Sequence, residues 1–292
     1  MSLFPMTTPA REMSVIGSEG PAASTAQIRT PMSKSADRFE LYERAVQHPP
    51  ADVHFMTRTF QTLRGRAPRV LREDFCGTAA LCASWVKHHP ENRAYGIDLD
   101  ERTLNWGIRR HIVPLGKRAA RVELLRADVR ETPAFKSDLA AAFNFSYFTF
   151  KDRKVLLDYF KSVRAGLVKD GLFFLDIYGG PEAMELREER TDFDDFVYVW
   201  DQAAFNPITF AITCHIHFEF PDDSAIRRAF TYDWRLWQIP ELRLLSQEAG
   251  FRDFIVYWEG TDHKTGEGNG IYRPSMKGDN SPAYVCYLVC VK

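Results

Sequence analysis

The sequence predicts a doubly wound α/β fold, with a seven-stranded sheet between helices and an antiparallel β insertion after the fifth strand. Between about residues 66 and 180, short apolar runs typical of buried strands alternate five times with helical patterns, as βαβ units require. Between residues 195 and 236, strand-like runs follow one another without helices, and a helical pattern returns at Pro240. This change predicts antiparallel strands inserted into an otherwise parallel sheet.

The N-terminal segment differs in composition from the rest of the chain. Residues 1–37 have few large apolar side chains and no periodic pattern. We expect a disordered tail, because such a segment buries too little apolar surface to offset its ordering entropy. The folded domain should span residues 38–292, beginning with helices over Arg38–Val46 and residues 52–64, which Pro49 and Pro50 separate.

The alternating part supplies five strands and the helices between them. The strands are predicted at residues 69–73, 94–98, 121–125, 139–145 and 172–178. Thr78 is placed to cap the helix after the first strand, a second helix covers residues 101–110, and a third covers residues 151–167. The third has the clearest amphipathic stripe, formed by Leu156, Phe160, Val163 and Leu167.

The insertion is assigned to residues 190–237. It contains three strand-like runs, Phe196–Trp200, Ile208–Phe220 and Ala225–Trp237, with a hairpin turn at residues 221–223. We expect it to pack over the carboxyl ends of the parallel strands and to shape a ligand pocket there. After a helix over residues 240–249, strands at 254–258 and 283–291 flank a Gly-rich loop at about 260–282.

Composition favours some partners and locations over others. With 38 Lys and Arg against 39 Asp and Glu, the net charge is −1, and no basic run exceeds two residues, so we expect no nucleic-acid partner. We expect no membrane span either, because no apolar run approaches about 20 residues. The five cysteines form no CxxC motif, which favours a reduced, cytoplasmic protein. The oligomeric state cannot be read from the sequence.

The most informative motif is the run Val70–Ala79, VLREDFCGTA. An apolar strand reaches the acidic pair Glu73-Asp74, and a tight turn then leads into a helix, so that backbone N–H groups point at a ligand. Asp98 follows about 20 residues after the turn, where α/β folds hold the ribose hydroxyls of a nucleotide-like cofactor. The sequence therefore predicts an adenosine-containing cofactor.

The chain resembles the class I S-adenosylmethionine (SAM)-dependent methyltransferases, over residues 66–180 and 240–292. The first motif of that family is an acidic residue followed by a turn of the form GCGTG. Glu73 falls on the acid and Cys76-Gly77-Thr78 on the middle of the turn, whereas Phe75 and Ala79 replace its outer glycines. The DFCGTA variant looks like a poorly characterised branch, and the turn must tolerate a Cβ at two positions where glycine is usual.

The resemblance implies a Rossmann-like methyltransferase sheet and methyl transfer from SAM to an O, N or C nucleophile of a small molecule. Asp98 falls on the ribose-binding acid, Asp128 on the acid that faces the adenine amino group, and Asn144 where the donor and acceptor pockets meet. The implied donor site comprises Glu73, Asp74, Phe75, Cys76, Gly77, Thr78, Asp98, Leu99, Asp128, Val129 and Asn144. Tyr147 and Tyr178 are the candidates for aligning the acceptor.

Three other functions remain open. An NAD-dependent oxidoreductase shares the strand–turn–helix motif, although FCGTAA fails the pattern G-x-G-x-x-G. A methyltransferase acting on RNA or protein, and a non-catalytic SAM-binding module, are the others. We expect no metal site: His215, His217 and Glu219 share one strand face, but that face should be solvated, with the alternate residues packed inward.

Overall fold

The computed structural model describes residues 30–262, 264–265 and 268–292. The predicted tail therefore lies mostly outside the described residues. Its last part, residues 30–37, is ordered: it contains the short helix α1 (Met32–Ser35), whose first N–H donates to the Asp222 carboxylate at 2.8 Å. Asp37 caps the next helix and accepts a hydrogen bond from the Trp106 indole at 2.6 Å. Polar contacts hold this segment, and an argument from apolar content could not foresee them.

Twelve strands form two sheets among the described residues. They are β1 (Val70–Asp74), β2 (Arg93–Asp98), β3 (Val122–Arg126), β4 (Ser137–Ala142), β5 (Leu167–Gly179), β6 (Arg187–Asp192), β7 (Val197–Asn206), β8 (Ala211–Glu219), β9 (Ala225–Arg235), β10 (Asp253–Thr261), β11 (Gly268–Pro274) and β12 (Tyr284–Val291). The main sheet has the order β11-β10-β12-β5-β4-β1-β2-β3. Strands β1 to β5 pair in parallel, and β12, β10 and β11 are antiparallel.

The doubly wound α/β fold is confirmed, with one strand more in the main sheet than predicted. The extra strand, β11, lies inside the predicted Gly-rich loop and pairs with β10 at the sheet edge. An edge strand needs no continuous apolar run, because only one of its sides pairs. Its burial pattern is almost entirely exposed, which explains why hydrophobicity did not reveal it.

The longer helices cover both faces of the main sheet. They are α2 (Arg38–Val46), α3 (Pro49–Arg64), α4 (Ala80–His88), α5 (Glu101–Gly107), α6 (Arg153–Gly166) and α7 (Ile239–Glu248). Alternate residues of β5 show the two layers: Leu172 and Phe174 pack with α3 and α4, whereas Phe173 and Leu175 pack with α6 and α7. The period of two in a strand produces this division.

The helix predicted over residues 101–110 changes character after Gly107. A π-helical turn (Ile108–Ile112) and 3₁₀ turns (Val113–Arg121) follow. Gly107 packs against the loop after β1 so closely that a Cβ there would lie 2.1 Å from the Thr78 carbonyl oxygen. The close approach fixes this region against the predicted cofactor loop.

Strands β6 to β9 form a separate four-stranded antiparallel sheet between β5 and α7. This sheet is the predicted insertion, although its first strand begins at Arg187 rather than at residue 190. Its aromatic side chains join the same core cluster as α6 and α7. The insertion therefore shares a hydrophobic core with the main domain.

Candidate active site

The loop after β1 has the backbone conformation typical of glycine, although two of its residues carry a Cβ. Phe75, Gly77 and Ala79 have φ of 55°, 51° and 58°, in the left-handed region that favours glycine. The Cys76 N–H donates to the Ile97 carbonyl at 3.0 Å, and the Ala79 N–H donates to the Cys76 carbonyl at 2.7 Å. The loop thus forms the tight turn despite a Cβ at the two positions where the resembling family has glycine.

Asp98 joins three strand ends at the carboxyl edge of the sheet. One carboxylate oxygen accepts the Gly77 N–H at 2.8 Å, and the other accepts the Asp100 N–H at 2.9 Å. The Asp98 carbonyl accepts the Ala127 N–H at 3.1 Å. A carboxylate has about four acceptor positions, so Asp98 can also receive hydroxyl groups of a ligand. Leu99 beside it is 67% exposed and offers that ligand an apolar surface.

Glu73 serves the helix that follows the loop. Its carboxyl group accepts the Cys82 N–H at 2.9 Å, in the first turn of α4, and the side chain is buried. Burial raises the pKa of Glu73 to about 8, and repulsion from Asp52 and Asp98 adds to the increase. Thr78, predicted as the cap of this helix, instead donates from its hydroxyl to Glu43 at 2.5 Å. The predicted donor contact of Glu73 stays a hypothesis, because its visible partner is α4.

Asp74 lies inside the protein and away from the open edge. Its side chain, fully buried, pairs with the equally buried Arg72 at 2.6 Å and accepts the Tyr159 hydroxyl at 2.8 Å. Arg72 also donates to the Val129 carbonyl at 2.6 Å. The structure therefore places Asp74 in a buried ion pair under the site, and not among groups that a cofactor could touch.

The remaining predicted donor residues follow β3 and β4. Asp128 is partly exposed, and its carboxylate pairs with Arg130 at 2.5 Å, which lowers the pKa of Asp128. Val129 is buried, and its carbonyl already accepts a hydrogen bond from Arg72. Asn144 has a φ of 56° and begins a left-handed turn. These residues follow their strands toward the same edge as Asp98, as the resemblance implied.

A buried acid holds the turn after β4. Asp176 of β5 accepts the Asn144 N–H at 2.7 Å and the Phe145 N–H at 2.9 Å. Phe145 also has a left-handed φ, of 56°, so two consecutive unfavourable conformations depend on these hydrogen bonds. Burial raises the pKa of Asp176 to about 7. The turn fixes the direction in which Asn144 points.

Tyr147 and Tyr178 do not present their hydroxyl groups to this edge. Both are fully buried. The Tyr147 hydroxyl donates to the Asp176 carbonyl at 2.8 Å, and burial, with a smaller contribution from the nearby Cys214 thiol, raises the pKa of Tyr178 well above its usual value. Aligning an acceptor requires a free polar group at the pocket, so the geometry favours a packing role for both tyrosines.

An aromatic pocket lies between α2, the turn after β4 and the insertion. The space in it that is open to the centre of a water-sized sphere is only about 10 Å³. The lining residues are Tyr42, Val46, Asn144, Phe145, Tyr198, Trp200, Ile216, Tyr232 and Trp234. The insertion thus reaches the carboxyl end of β4, the position predicted for it. We call this space the aromatic pocket.

Sequence reasoning missed two contributors to the site. Glu43 of α2 accepts the Thr78 hydroxyl and lies 2.7 Å from the His111 ring nitrogen, so α2 is fastened across the cofactor loop. No local motif marks this long-range contact. The aromatic pocket did carry a signal: Tyr198 with Trp200, and Tyr232 with Trp234, are spaced by two and so share a strand face.

The histidine pair of the insertion differs from the prediction. His215 and His217 are both buried, at 6% exposure, so their face of β8 is not solvated. His215 pairs with the Thr231 hydroxyl, and the His217 ring accepts the Arg228 N–H at 2.9 Å. The partners of these rings come from the adjacent strands, Thr231 and Arg228 from β9 and Asp201 from β7, which hydrophobic alternation alone could not reveal. Within residues 30–262, 264–265 and 268–292, no group of three metal-ligating side chains occurs.

All five cysteines are free and buried. Burial raises the pKa of Cys76 well above its usual value, and the nearby acids Glu73 and Asp98 raise it further. A thiol must ionise to act as a nucleophile, so Cys76 contributes its backbone to the loop and no reactive thiolate. None of the helices described is long and apolar enough to cross a membrane.

The fold matches those of several solved methyltransferases. Against a SAM-dependent methyltransferase from Clostridium acetobutylicum, the TM-score is 0.61 at 15% identity, covering 86% of this chain and 96% of the other. Streptomyces venezuelae DesVI gives 0.62 at 16% identity, covering 88% and 98%. CalS10, an amino pentose methyltransferase from Micromonospora echinaspora with SAM bound, gives 0.59 at 12% identity, covering 90% and 99%. At these identities the likeness establishes the fold alone. No protein-family model and no curated protein matched the chain.

Proposed function

We propose that this protein is an enzyme that transfers the methyl group of SAM to a small-molecule acceptor. The observation that carries the proposal is the Gly77–Asp98 hydrogen bond, which fastens a tight loop to an acid at the end of β2. This arrangement occurs in a fold that several methyltransferases share. An adenosine-containing donor needs both features, a close backbone and a ribose acceptor.

The residues at the sheet edge fit such a donor. A Cβ built on Gly77 would meet only the Thr103 methyl, at 3.7 Å, so the loop surface above Gly77 is open to a ligand. Asp98 would hold the ribose hydroxyls, Leu99 would pack against the adenine, and Asp128 would face its amino group. The bound donor supplies an already activated methyl group, so the chain itself needs only to align the acceptor and exclude water.

Two observations support a small-molecule acceptor. The aromatic pocket at the carboxyl end of β4 is lined mostly by apolar and aromatic side chains, as small-molecule sites are. The structural neighbours include one named an amino pentose methyltransferase and one named a sugar N-methyltransferase. The balance of 38 basic and 39 acidic residues gives no reason to prefer a nucleic acid.

The test is calorimetry with SAM, its demethylated product and NAD, on the wild type and on Asp98→Ala. Hydrogen bonds to charged groups contribute about 1.5–3 kcal/mol each. Losing them should weaken SAM and its product by about 10- to 100-fold, and by the same factor, since the ribose is common to both. NAD should not bind measurably.

Asp100→Ala is the matched control. Asp100 lies two residues further on, and its carboxylate caps α5 through the Arg102 N–H at 2.9 Å. The substitution should cost about 1 kcal/mol of stability without changing SAM affinity. If folded Asp98→Ala bound SAM as tightly as the wild type, the cofactor assignment would be refuted. SAM binding without turnover on any small-molecule pool would leave only a binding module.

A further inference from the structure

A second cavity lies at the amino edge of the main sheet, between α3, the segment before β1 and the end of α4. The space in it that is open to the centre of a water-sized sphere is about 190 Å³. One water needs roughly 10–15 Å³ by this measure, so the cavity has room for a small organic molecule. Its polar lining residues are Thr57, Gln61, Arg69, His88, His89 and Asn92. We call it the amino-edge cavity.

The amino-edge cavity and the donor site lie at opposite ends of the same strands. Arg69 immediately precedes β1, whereas the cofactor loop follows that strand. Asn92 immediately precedes β2, whereas Asp98 ends it. With about 3.3 Å of rise per residue, these strands separate the two places by about 15–20 Å. A ligand in the cavity would therefore not overlap the donor.

Arg69 is held firmly and keeps part of its guanidinium free. Its carbonyl accepts the Trp85 indole N–H at 3.2 Å and the Arg93 N–H at 2.9 Å, and its own N–H donates to Asp138 at 2.8 Å. Its side-chain Nε lies 2.9 Å from a carboxylate oxygen of Glu91. In the part of the chain that the structure describes, Nη2 has no hydrogen-bond partner. The guanidinium therefore offers a positioned donor to a ligand.

His89 adds a second donor. Its Nδ1 accepts the Glu91 N–H at 3.2 Å, so the ring in this arrangement is neutral and carries its proton on Nε2. Within the described residues no acceptor takes that proton. A histidine at a helix end often serves the helix dipole as a cation, but a ring that accepts a hydrogen bond at Nδ1 is not protonated there. The dipole therefore does not account for His89.

The surroundings of the cavity favour negative charge. Arg121 donates through Nη1 to the carbonyls of His89 and Asn92, each at 2.9 Å, and so places a second guanidinium behind the wall. None of the described residues that line the cavity is Asp or Glu. Glu91, which pairs with Arg69, has 68% of its side chain exposed to water. An oxyanion would gain from this environment, whereas a cation would not.

The alternative is a surface cleft that holds only water. A water-filled cleft requires no particular arrangement of donors. Here Glu91 positions two of them, because its carboxylate pairs with Arg69 and its N–H binds His89. Neither donor group uses its remaining hydrogen within the described residues. A few fixed polar groups at the wall of a roomy cavity are typical of a ligand site.

We infer that the amino-edge cavity binds a small molecule through an oxyanion, a phosphate or a carboxylate group, which Arg69 and His89 hold. The oxygens of both groups accept hydrogen bonds from guanidinium and imidazole N–H donors. Thr57 and Gln61 of α3 also line the cavity and would contact the rest of the molecule. This site goes beyond the proposed methyl transfer and does not depend on it.

The test compares three small probes that differ in charge. Glycerol 3-phosphate carries a phosphate, glycerate carries a carboxylate, and glycerol is the neutral reference. In calorimetry on the full-length protein at constant ionic strength, at least one anion should bind at least about tenfold more tightly than glycerol, because charge-assisted hydrogen bonds are the stronger ones. The tighter anion identifies the group that the site takes. Failure of both anions to bind at millimolar concentration, or equal affinities for all three probes, would overturn the inference.

Substitutions at the two donors locate the bound anion. Arg69→Gln and His89→Leu should each weaken it by about tenfold, whereas His89→Gln keeps a terminal N–H donor and should lose less. Arg93→Gln is the matched control, because Arg93 is exposed at the same sheet edge and does not line the cavity. It removes the same charge and should change the affinity by no more than about twofold. Unchanged binding in folded Arg69→Gln, or an equal loss in Arg93→Gln, would contradict the site.

The same titrations separate this inference from the proposed function. Asp98→Ala, or saturation with the demethylated product of SAM, should change the affinity of the anion by less than about threefold, since the two places are distant. Competition by that product would place the anion at the donor site and overturn the inference. Anion binding in a protein that binds no SAM refutes the methyltransferase and leaves the amino-edge site standing. SAM binding without a preference for either anion does the reverse.

Discussion

Removing the Asp74 carboxylate should destabilise the protein by about 3–5 kcal/mol, as expected when one partner of a buried ion pair is lost. Arg72 and Asp74 are both fully buried, with a nitrogen–oxygen distance of 2.6 Å. In Asp74→Ala the guanidinium would remain inside the protein with the Val129 carbonyl as its acceptor. The Tyr159 hydroxyl, which now donates to Asp74 at 2.8 Å, would lose its acceptor as well.

A double-mutant cycle tests this reasoning. Urea unfolding followed by tryptophan fluorescence should give large losses for Asp74→Leu and Arg72→Met alone. The double variant should lose less than their sum by at least about 2 kcal/mol, because no buried charge is left unpaired. Asp158→Ala provides an exposed comparison, since its i,i+4 partner Lys154 has 83% of its side chain exposed, and it should change stability far less. Additive losses in the cycle would refute a coupled buried pair.

Two more predictions concern pH and the N-terminus. Glu73 has its pKa raised from 4.5 to about 8, so between these values the folded protein keeps a proton that the unfolded chain releases. The free energy of unfolding should therefore fall as pH rises through this window, by on the order of 1 kcal/mol per pH unit, and Glu73→Gln should flatten the slope measured by urea unfolding at pH 5, 6.5 and 8. An unchanged slope would contradict the buried, protonated state. In differential scanning calorimetry, deletion of residues 1–29 should leave Tm unchanged, whereas deletion of residues 1–37 should lower it by about 2–4 °C, because the second deletion removes a helix cap. Equal Tm values for the two deletions would contradict a structural role for residues 30–37.

The parallel half of the fold could be predicted because its signals are local. Buried parallel strands need continuous apolar runs, and the strand predicted at 94–98 is found at Arg93–Asp98. The helix predicted over residues 151–167 is found at Arg153–Gly166, because its apolar stripe repeats every three or four residues. Both patterns, the apolar run of a strand and the apolar stripe of a helix, can be recognised within the short segment that forms the element.

Features that depend on distant packing could not be predicted. The helix after Asp100 becomes π-helical at Ile108, next to Gly107, which packs closely against Thr78, a contact between segments about 30 residues apart. The histidine face of β8 was expected to be solvated, and it is buried beside side chains of the adjacent strands β7 and β9, among them Asp201 and Thr231. In both cases the deciding neighbour comes from another element, and nothing in the local pattern reports it.

The role of each predicted acidic residue depends on whether it lies within a strand or at the end of one. Arg72, Glu73 and Asp74 lie within β1, so their side chains alternate between the helix layers on the two faces of the sheet. Arg72 and Asp74 accordingly pair on one face, while Glu73 meets α4 on the other.

Asp98 is instead the last residue of β2, and Asp128 and Asn144 each lie two residues beyond a strand, where the chain turns across the open edge. A shift of one or two residues thus decides whether an acid supports the fold or faces a ligand, and sequence patterns place strand ends no more finely than that. The distinction predicts that substituting Asp74 alters stability first and that substituting Asp98 alters cofactor affinity first. The two variants together therefore measure whether this edge of the sheet is the binding site.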